Sequence, residues 1–207
     1  MSVTDGLRER KKAETRRALS SAALRLAREH GPDGVTIEAI AEAAGVSPRT
    51  FFNYFASKDD AIVGVAPAEA SELVRDLADQ PADAAPLDAL RGMCMAAVPR
   101  LEESADELWA RHQLTQEHPY LAARRTAAFA EVERRLAAEI ARRTGRDLDR
   151  DPYPMLVVTA ASGALKAAVA VWQERGRNEP LADVLDEAFR HVEAGFVVPV
   201  ALVTGAG

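Results

Sequence analysis

The sequence predicts an all-α protein made of a three-helix N-terminal head and a larger C-terminal helical bundle. Apolar residues recur with a period of about 3.6 along most of the chain, and no segment shows the sustained alternation of a strand. Prolines and glycines divide this pattern into segments of helical length. Two short helices joined by a tight turn lie within the first quarter. We therefore place the head at residues 1–57 and the bundle at residues 58–207.

The first predicted helix runs from about Lys11 to His30, with His30 as its end residue. Its core face is an apolar stripe at helical spacing: Leu19, Ala22, Ala23, Leu26 and Ala27. Eight basic and two acidic side chains lie between Arg8 and Arg28. Such a run is usually a solvated face. Beside a pair of short helices it also suits phosphate neutralisation, with Lys12 as a contact and the segment from Arg8 to Lys12 as a mobile arm.

The second predicted helix has Thr36 as its N-cap, whose side-chain oxygen can accept from a free backbone N–H. Ile37, Ile40, Ala41 and Ala44 form its single apolar face. Gly45 ends this helix, because glycine adopts the left-handed backbone conformation without a Cβ clash. Val46 then covers the corner before the next helix.

The third predicted helix begins with Ser47 as its cap and Pro48 at the first helical position, where a missing N–H costs nothing. Phe51 and Phe55 lie one turn apart and are predicted to point into the core. The opposite side presents hydrogen-bonding groups and exposed aromatic rings: Arg49, Thr50, Phe52, Asn53 and Tyr54. A helix that enters the major groove needs this mixture of donors, acceptors and apolar atoms.

The run from Thr36 to Lys58 resembles the signature of the TetR family of transcriptional repressors, and the resemblance covers about the first quarter of the chain. It implies that Ser47, Pro48, Arg49, Thr50, Phe52 and Asn53 face the groove of a DNA operator. It also implies that Thr36, Tyr54 and Lys58 contact phosphates. Most family members have a small residue where this chain has Arg49. An arginine there can read guanine or contact phosphate, and both alternatives stay open.

The rest of the chain predicts further helices, separated at residues 81–86, 102–104, 118–119, 144–154 and 176–180. The stretch from Gln80 to Pro86 is the expected flexible connection. From Met155 to Trp172 nearly every residue is apolar or small, which is typical of a helix buried on all sides. A membrane span is the alternative, but the abundance of alanine and a central Lys166 argue against insertion.

The last two predicted helices are expected to form a homodimer through an intermolecular four-helix bundle. The residues assigned to this interface are Gly163, Ala164, Ala167, Leu181, Leu185 and Phe189. The alternative is that both helices serve only the core of one protomer. A two-fold DNA-binding protein favours the dimer.

Between the head and the dimer interface we expect a pocket for a small-molecule effector. Its candidate residues combine large apolar groups with a few polar ones: Met93, Trp109, His112, Gln113, Gln116, Phe129, Tyr153 and Trp172. Each of these is individually more typical of a core position. His112, Gln113 and Gln116 are the most informative, because polar groups inside a bundle need a partner. From residues 115–121 onward through residues 170–176, the C-terminal half also resembles an actinobacterial TetR subgroup, which includes mycofactocin-associated regulators. This resemblance implies an acyl-CoA-like effector.

Composition limits the other classes. The chain of 207 residues has a net charge of −6. Positions 1–60 hold 10 basic and 9 acidic residues, and the remaining positions hold 16 basic and 23 acidic residues. An acidic body with a slightly basic head discourages indiscriminate coating of DNA.

The single cysteine, Cys94, allows no intramolecular disulfide, and we expect a cytoplasmic protein without a secretory signal. The sequence has no catalytic motif, and its four histidines are scattered, so we expect no enzyme, no cofactor and no metal site.

The predicted function is that of a ligand-responsive repressor. Each subunit of a homodimer would place residues 47–54 in a major groove, with the two heads roughly 34–36 Å apart on a palindromic operator. An effector would pull on the helix that begins at Lys58 and spread the heads. An effector-independent dimeric DNA-binding protein is the alternative, followed by a helical enzyme without a recognisable motif.

Overall fold

The computed structural model describes residues 3–64 and 67–196, and within these ranges the chain forms ten α-helices and no β-strand. The helices are α1 (Val3–His30), α2 (Ile37–Ala43), α3 (Pro48–Phe51), α4 (Lys58–Val63), α5 (Pro67–Ala78), α6 (Pro86–Glu103), α7 (Ala105–Glu117), α8 (Pro119–Thr144), α9 (Tyr153–Glu174) and α10 (Leu181–Glu193). The predicted all-α class is confirmed.

The head is built as the sequence predicts. Thr36 caps α2 by accepting from the N–H of Ala39 at 3.1 Å, and Gly45 has the left-handed φ of 68°. Phe51 and Phe55 are fully buried, and their rings lie 5.8 Å apart. They share a core with Leu19 of α1 and with Ile62 of α4. This core fixes the orientation of the short helix α3.

One prediction for the head is wrong. The segment from Arg8 to Lys12 was expected to be a mobile arm before a helix that starts near Lys11, but α1 already begins at Val3. The basic residues therefore lie on the first turns of a continuous helix of 28 residues. Nothing in this segment is a strong helix breaker, since its charged residues have good helix propensity.

Prolines set most of the remaining boundaries. Pro86, Pro119 and Pro154 each stand in the first turn of their helix, where the missing N–H leaves no hydrogen bond unmade. Gly145 ends α8 with a φ of 66°. The breaks predicted around these residues are confirmed. The stretch from Gln80 to Pro86 leads from α5 to the start of α6, and Arg143 of α8 donates hydrogen bonds to the carbonyls of Gln80 and Pro81, so its flexibility stays a prediction.

The bundle has its own core, formed by α5, α6, α8, α9 and α10. In α10, Leu181, Leu185 and Phe189 are completely buried against α9 and α6. Among the described helices, α9 is long and apolar enough to cross a membrane by length and composition alone. It packs against α6, α8 and α10 through one side, while Leu156 and Lys166 are exposed, so the prediction of a helix buried on all sides is wrong for α9.

Candidate functional site

Helix α3 is held at its start by side-chain capping. The Ser47 hydroxyl oxygen accepts from the backbone N–H of Thr50 at 3.1 Å and lies 2.8 Å from the Thr50 hydroxyl. Pro48 occupies the first helical position. Beneath the helix, Phe51 and Phe55 anchor it to the core. The residues predicted to face the DNA groove therefore stand on a rigid base.

The outward side of this element is open to solvent. Ser47, Pro48, Arg49, Phe52 and Asn53 are exposed, Phe52 by 58%, while Thr50 and Tyr54 are half-buried. The Phe52 ring meets Phe51 only through an edge contact with centroids 5.6 Å apart, so most of the ring is accessible. The surface offers a guanidinium, an amide, hydroxyls and an aromatic face, which are the groups used to read base edges and thymine methyls. The DNA contacts themselves stay a prediction.

Two of the residues expected to contact phosphates are exposed to solvent. Thr36 is exposed, and because its oxygen accepts the capping hydrogen bond, its O–H remains available as a donor. Lys12 is exposed on α1. Their contacts with phosphates stay a prediction.

Lys58 has a different role from the one expected. Its ammonium donates to the carbonyls of Pro32, Asp33 and Val35 at 3.0, 3.3 and 2.9 Å. An ammonium has three N–H donors, so these carbonyls use its full capacity. We therefore revise the phosphate assignment: Lys58 fastens the loop after α1 to the start of α4.

Lys58→Met should lower the stability of the protein by about 1–2 kcal/mol, because the mutation leaves three carbonyls without their charged donor. Lys12→Met serves as the control. It should leave stability unchanged and weaken binding to every duplex, with a shallower salt dependence. Thermal melting and DNA binding at several salt concentrations measure the two effects. An unchanged melting temperature for Lys58→Met together with weaker DNA binding would restore the phosphate contact.

Charged side chains join the head to the bundle at three places. The guanidinium of Arg16 in α1 pairs with Glu72 of α5 through contacts of 3.1 and 3.0 Å. Arg124 of α8 pairs with Asp60 of α4 at 2.7 and 2.9 Å. Burial raises the pKa of Asp60, but hydrogen bonds from Arg124 and Ser57 outweigh it, so the pKa lies below its usual value. The Asp60 pair therefore stabilises this joint at neutral pH and is lost only when acid protonates the carboxylate.

The third joint is made by Arg111 of α7. Its Nε donates to the carbonyl of Ile62 at 3.2 Å, and its Nη2 donates to the Ser20 hydroxyl at 2.8 Å. Ser20 in turn donates to the carbonyl of Ala61 at 2.9 Å. A Cβ at Gly64 would lie only 2.7 Å from the Arg111 Nε. Helix α4 is therefore held at its start by Asp60 and at its end by Arg111.

The predicted effector residues do not form one pocket. His112, Gln113 and Gln116 are exposed on α7, and the His112 ring stacks on the partly exposed Trp109 with centroids 5.7 Å apart. These polar groups were singled out because a buried polar group needs a partner. Exposed groups are hydrated and need none, so that reason fails for His112, Gln113 and Gln116.

The other four candidates belong to separate surroundings. Met93 and Trp172 are buried in the bundle core, and the Trp172 indole N–H donates to the Glu179 carbonyl at 2.7 Å. The guanidinium carbon of Arg146 lies over the Tyr153 ring, 4.5 Å from the ring centroid. Phe129 is half-buried, with Arg125 above its ring. Of this group, only Phe129 combines an accessible apolar surface with a nearby charge that has no counter-ion.

The described residues do form a cleft, but it lies between the head and the bundle. Its volume is about 460 Å³, and it is lined by residues of α1, α2 and α7: Ala18, Ser21, Ala22, Leu24, Arg25, Arg28, Ala43, Asp106, Glu107 and Ala110. Ser21 and Glu107 hydrogen-bond across it at 2.5 Å.

The roles of Arg125 and Arg111 were not predicted from the sequence. A signal for Arg125 was present, because it stands one turn after Leu121 and two turns before Val132, on the face that is otherwise apolar. An arginine in an apolar stripe reads as an interruption of the pattern. Arg111 gives no such signal, since its role depends on the distant residues Ser20 and Ile62.

The dimer assignment needs a correction. Leu181, Leu185 and Phe189 are 0% exposed and Ala164 is 6% exposed, so all four fill the core of a single protomer. Amphipathic spacing identified the buried face correctly but attributed it to a second copy. Gly163 and Ala167 are exposed on the opposite side of α9 and are available to a partner.

Two protein-family models match this sequence. The model described as bacterial regulatory proteins, tetR family, matches residues 19–62. The model described as the MftR C-terminal domain matches residues 84–197. The first match spans the helix-turn-helix and the second spans most of the bundle.

Individual proteins extend the likeness. The chain is 35% identical to the HTH-type transcriptional regulator TcmR of Streptomyces glaucescens, over 82% of this chain and 78% of that protein. It is 28% identical to the mycofactocin biosynthesis transcriptional regulator MftR of Mycobacterium tuberculosis, over 90% of this chain and 93% of that protein. The crystal structure of Thermus thermophilus FadR, a TetR-family repressor in complex with lauroyl-CoA, matches with a TM-score of 0.51 and 24% identity, over 92% of this chain and 100% of that one. At that identity the structural match concerns the fold.

Proposed function

The chain belongs to the TetR family of bacterial regulatory proteins, and from this membership we propose that it is a repressor released from a palindromic operator by an acyl-CoA-like effector. Its place as a transcriptional regulator follows from the family. Repression, the operator and the effector are the proposed part. TetR regulators bind DNA and act as dimers, so two heads acting together are the working unit.

The observation that carries the DNA-binding proposal is the capped and anchored helix α3. Arg49, Phe52 and Asn53 project from a short helix whose start is fixed by Ser47 and whose back is fixed by Phe51. A rigid base lets a few side chains hold the geometry that base reading needs. In a dimer the two copies of α3 would lie in successive major grooves, roughly 34–36 Å apart.

The effector proposal has separate support. The bundle matches a model named for MftR, and the Thermus thermophilus neighbour is a repressor in complex with lauroyl-CoA. We propose a division into a DNA-binding head at residues 1–57 and an effector and dimerisation bundle at residues 58–207. Helix α4 lies in both parts, since its apolar residues pack in the head core while Asp60 and Ile62 contact the bundle. Movement of the bundle would therefore change the spacing of the heads through α4.

The test is a footprint on DNA upstream of the protein's own gene, repeated with lauroyl-CoA, laurate and free coenzyme A. We expect a protected palindrome that opens with the effector and stays protected with coenzyme A. Protection that no acyl compound removes would favour the effector-independent regulator. The exposure of His112, Gln113 and Gln116 is the observation that favours this alternative.

The named relatives are regulators, so we propose no enzymatic activity, and we propose a cytoplasmic location.

Arg49→Ala should change which operator is preferred. If the exposed guanidinium reads guanine, its loss should remove about 1–3 kcal/mol of discrimination at one base pair and leave the others unchanged. Competition among randomised half-sites measures this preference. Arg49→Lys is the matched control, because it keeps the charge and loses the two-pronged geometry. A uniform loss of affinity in Arg49→Ala, restored by Arg49→Lys, would instead assign Arg49 to a phosphate.

A further inference from the structure

Arg125 is a cation without an anionic partner in a protein where most arginines have one. It leaves α8 on the inward face, between the turns of Leu121 and Val132, and its side chain is half-buried. Within residues 3–64 and 67–196, no carboxylate or other acceptor forms an ion pair or hydrogen bond with it. Its neighbour Arg124 pairs with Asp60, and Arg135, further along α8, pairs with Glu131. A half-buried charge without a partner lowers stability, so its presence calls for another explanation.

The surroundings of Arg125 concentrate positive charge beside an apolar ring. Its guanidinium carbon lies 5.5 Å from the centroid of Phe129, and the Lys166 ammonium lies 5.7 Å from the same centroid. Burial, followed by the charge of Arg111, lowers the pKa of Arg125. Lys166 is partly balanced by Glu133 at 3.4 Å, and Arg111 by Glu107 at 3.3 Å. An anion close to Arg125 would relieve the remaining repulsion.

The second cation, Arg111, is the residue that holds the end of α4. Its guanidinium contacts the Ser20 hydroxyl of the head and the Ile62 carbonyl of α4, whose side chain packs in the head core. Arg111 on α7 and Arg125 on α8 belong to two helices that pack against each other, and the like charge of Arg111 contributes to the lowered pKa of Arg125. An anion placed at Arg125 would attract Arg111 and compete with the Ile62 carbonyl for its N–H donors. The surroundings of Arg125 are therefore coupled to the joint that positions α4.

We propose that Arg125 and Phe129 form the binding site for the anionic end of an amphipathic effector, and that the bound anion draws Arg111 away from the end of α4. The guanidinium would hold a carboxylate or phosphate, while the Phe129 ring would contact the start of the apolar chain. This inference rests on the proposed effector response. It specifies the charge of the effector, the residue that anchors the effector, and the contacts through which binding reaches the head. The same chemistry is supplied by a fatty-acid carboxylate or by the phosphates of an acyl-CoA.

The test compares Arg125→Met with the control Arg135→Met in the full-length protein. Without ligand, Arg125→Met should raise the melting temperature by about 2–4 °C, because it removes an unpaired half-buried charge. Arg135→Met should not raise it, since that arginine has a partner in Glu131 at 2.8 Å. Arg125→Lys keeps the charge and should retain part of the anion affinity. If Arg125 were only structural, its replacement by methionine would lower the melting temperature instead.

The ligand arm uses laurate, lauroyl-CoA and the uncharged dodecanol. The wild type should bind at least one of the two anions, and Arg125→Met should lose about 10-fold or more of that affinity while its dodecanol binding stays the same. Binding of laurate alone identifies the carboxylate, and binding of lauroyl-CoA alone identifies the phosphates. Unchanged anion affinity in Arg125→Met overturns the site.

Two further outcomes separate this inference from the proposed function. If the wild type responds to dodecanol and to neither anion, the anionic site is wrong while a ligand-responsive regulator remains. If none of the three compounds binds or releases the operator, the effector response itself fails and the anionic site fails with it. DNA binding by the head is independent of both outcomes.

Discussion

Replacing Phe189 by alanine should lower the free energy of unfolding by about 3–5 kcal/mol, because the whole side chain is buried and its removal leaves a cavity. The ring is 0% exposed and lies in the core shared by α6, α9 and α10. Since single domains are typically stable by about 5–15 kcal/mol, this loss would remove a large part of the stability. Denaturation by urea, monitored by circular dichroism, measures it.

Phe52→Ala removes the same group from the exposed surface of the head and is the matched control. Its ring is 58% exposed and makes only an edge contact with Phe51, at 5.6 Å between centroids, so its loss should cost about 1.5 kcal/mol or less. Operator affinity should fall in this variant although the fold persists. If Phe189→Ala were tolerated as well as Phe52→Ala, α10 would not be part of the protomer core.

The sequence was sufficient for the boundaries within the helix-turn-helix, because these depend on local chemistry, whereas the start of α1 was predicted about two turns too late. Thr36 and Ser47 cap the helices that they were expected to cap, and Gly45 has the positive φ that ends α2. Each of these residues acts within three or four positions of itself along the chain. The burial of Phe51 and Phe55 could also be predicted, since helical periodicity fixes which residues share a face.

The candidate site was less predictable because it depends on contacts between distant residues. Periodicity identified the apolar face of α10 but could not say whether α9 of the same chain or a second copy covers it. The role of Lys58 depends on carbonyls 23 to 26 positions earlier in the chain. The exposed His112 shows the same limit, because the orientation of a polar face is decided by neighbouring helices. The free charge of Arg125 appears only once its spatial neighbours are known.

Ala167→Glu should convert the dimer to monomers and weaken operator binding by about 10²–10⁴-fold, because two linked heads bind with an avidity that one head lacks. The exposed stripe of α9, which we define as Leu156, Gly163, Ala167 and Ala170, is apolar and lies opposite the side that packs in the protomer. Leu156 is 66% exposed, and a Cβ at Gly163 would meet no atom within 4 Å. We propose this stripe as the centre of the two-fold interface, where a buried glutamate would have no partner.

Ala138→Glu is the matched control, since it introduces the same charge at an exposed alanine of α8, where the neighbouring turns carry the charged Arg134 and Arg142. Both substitutions exchange one good helix former for another, so any difference between them comes from the surroundings and not from helix propensity. Analytical ultracentrifugation and operator titration should show a monomer with weak binding only for Ala167→Glu, while circular dichroism shows the same helix content in both variants. A full-affinity dimer in that variant would move the interface away from α9, and the exposure of Leu156 would then need a different partner.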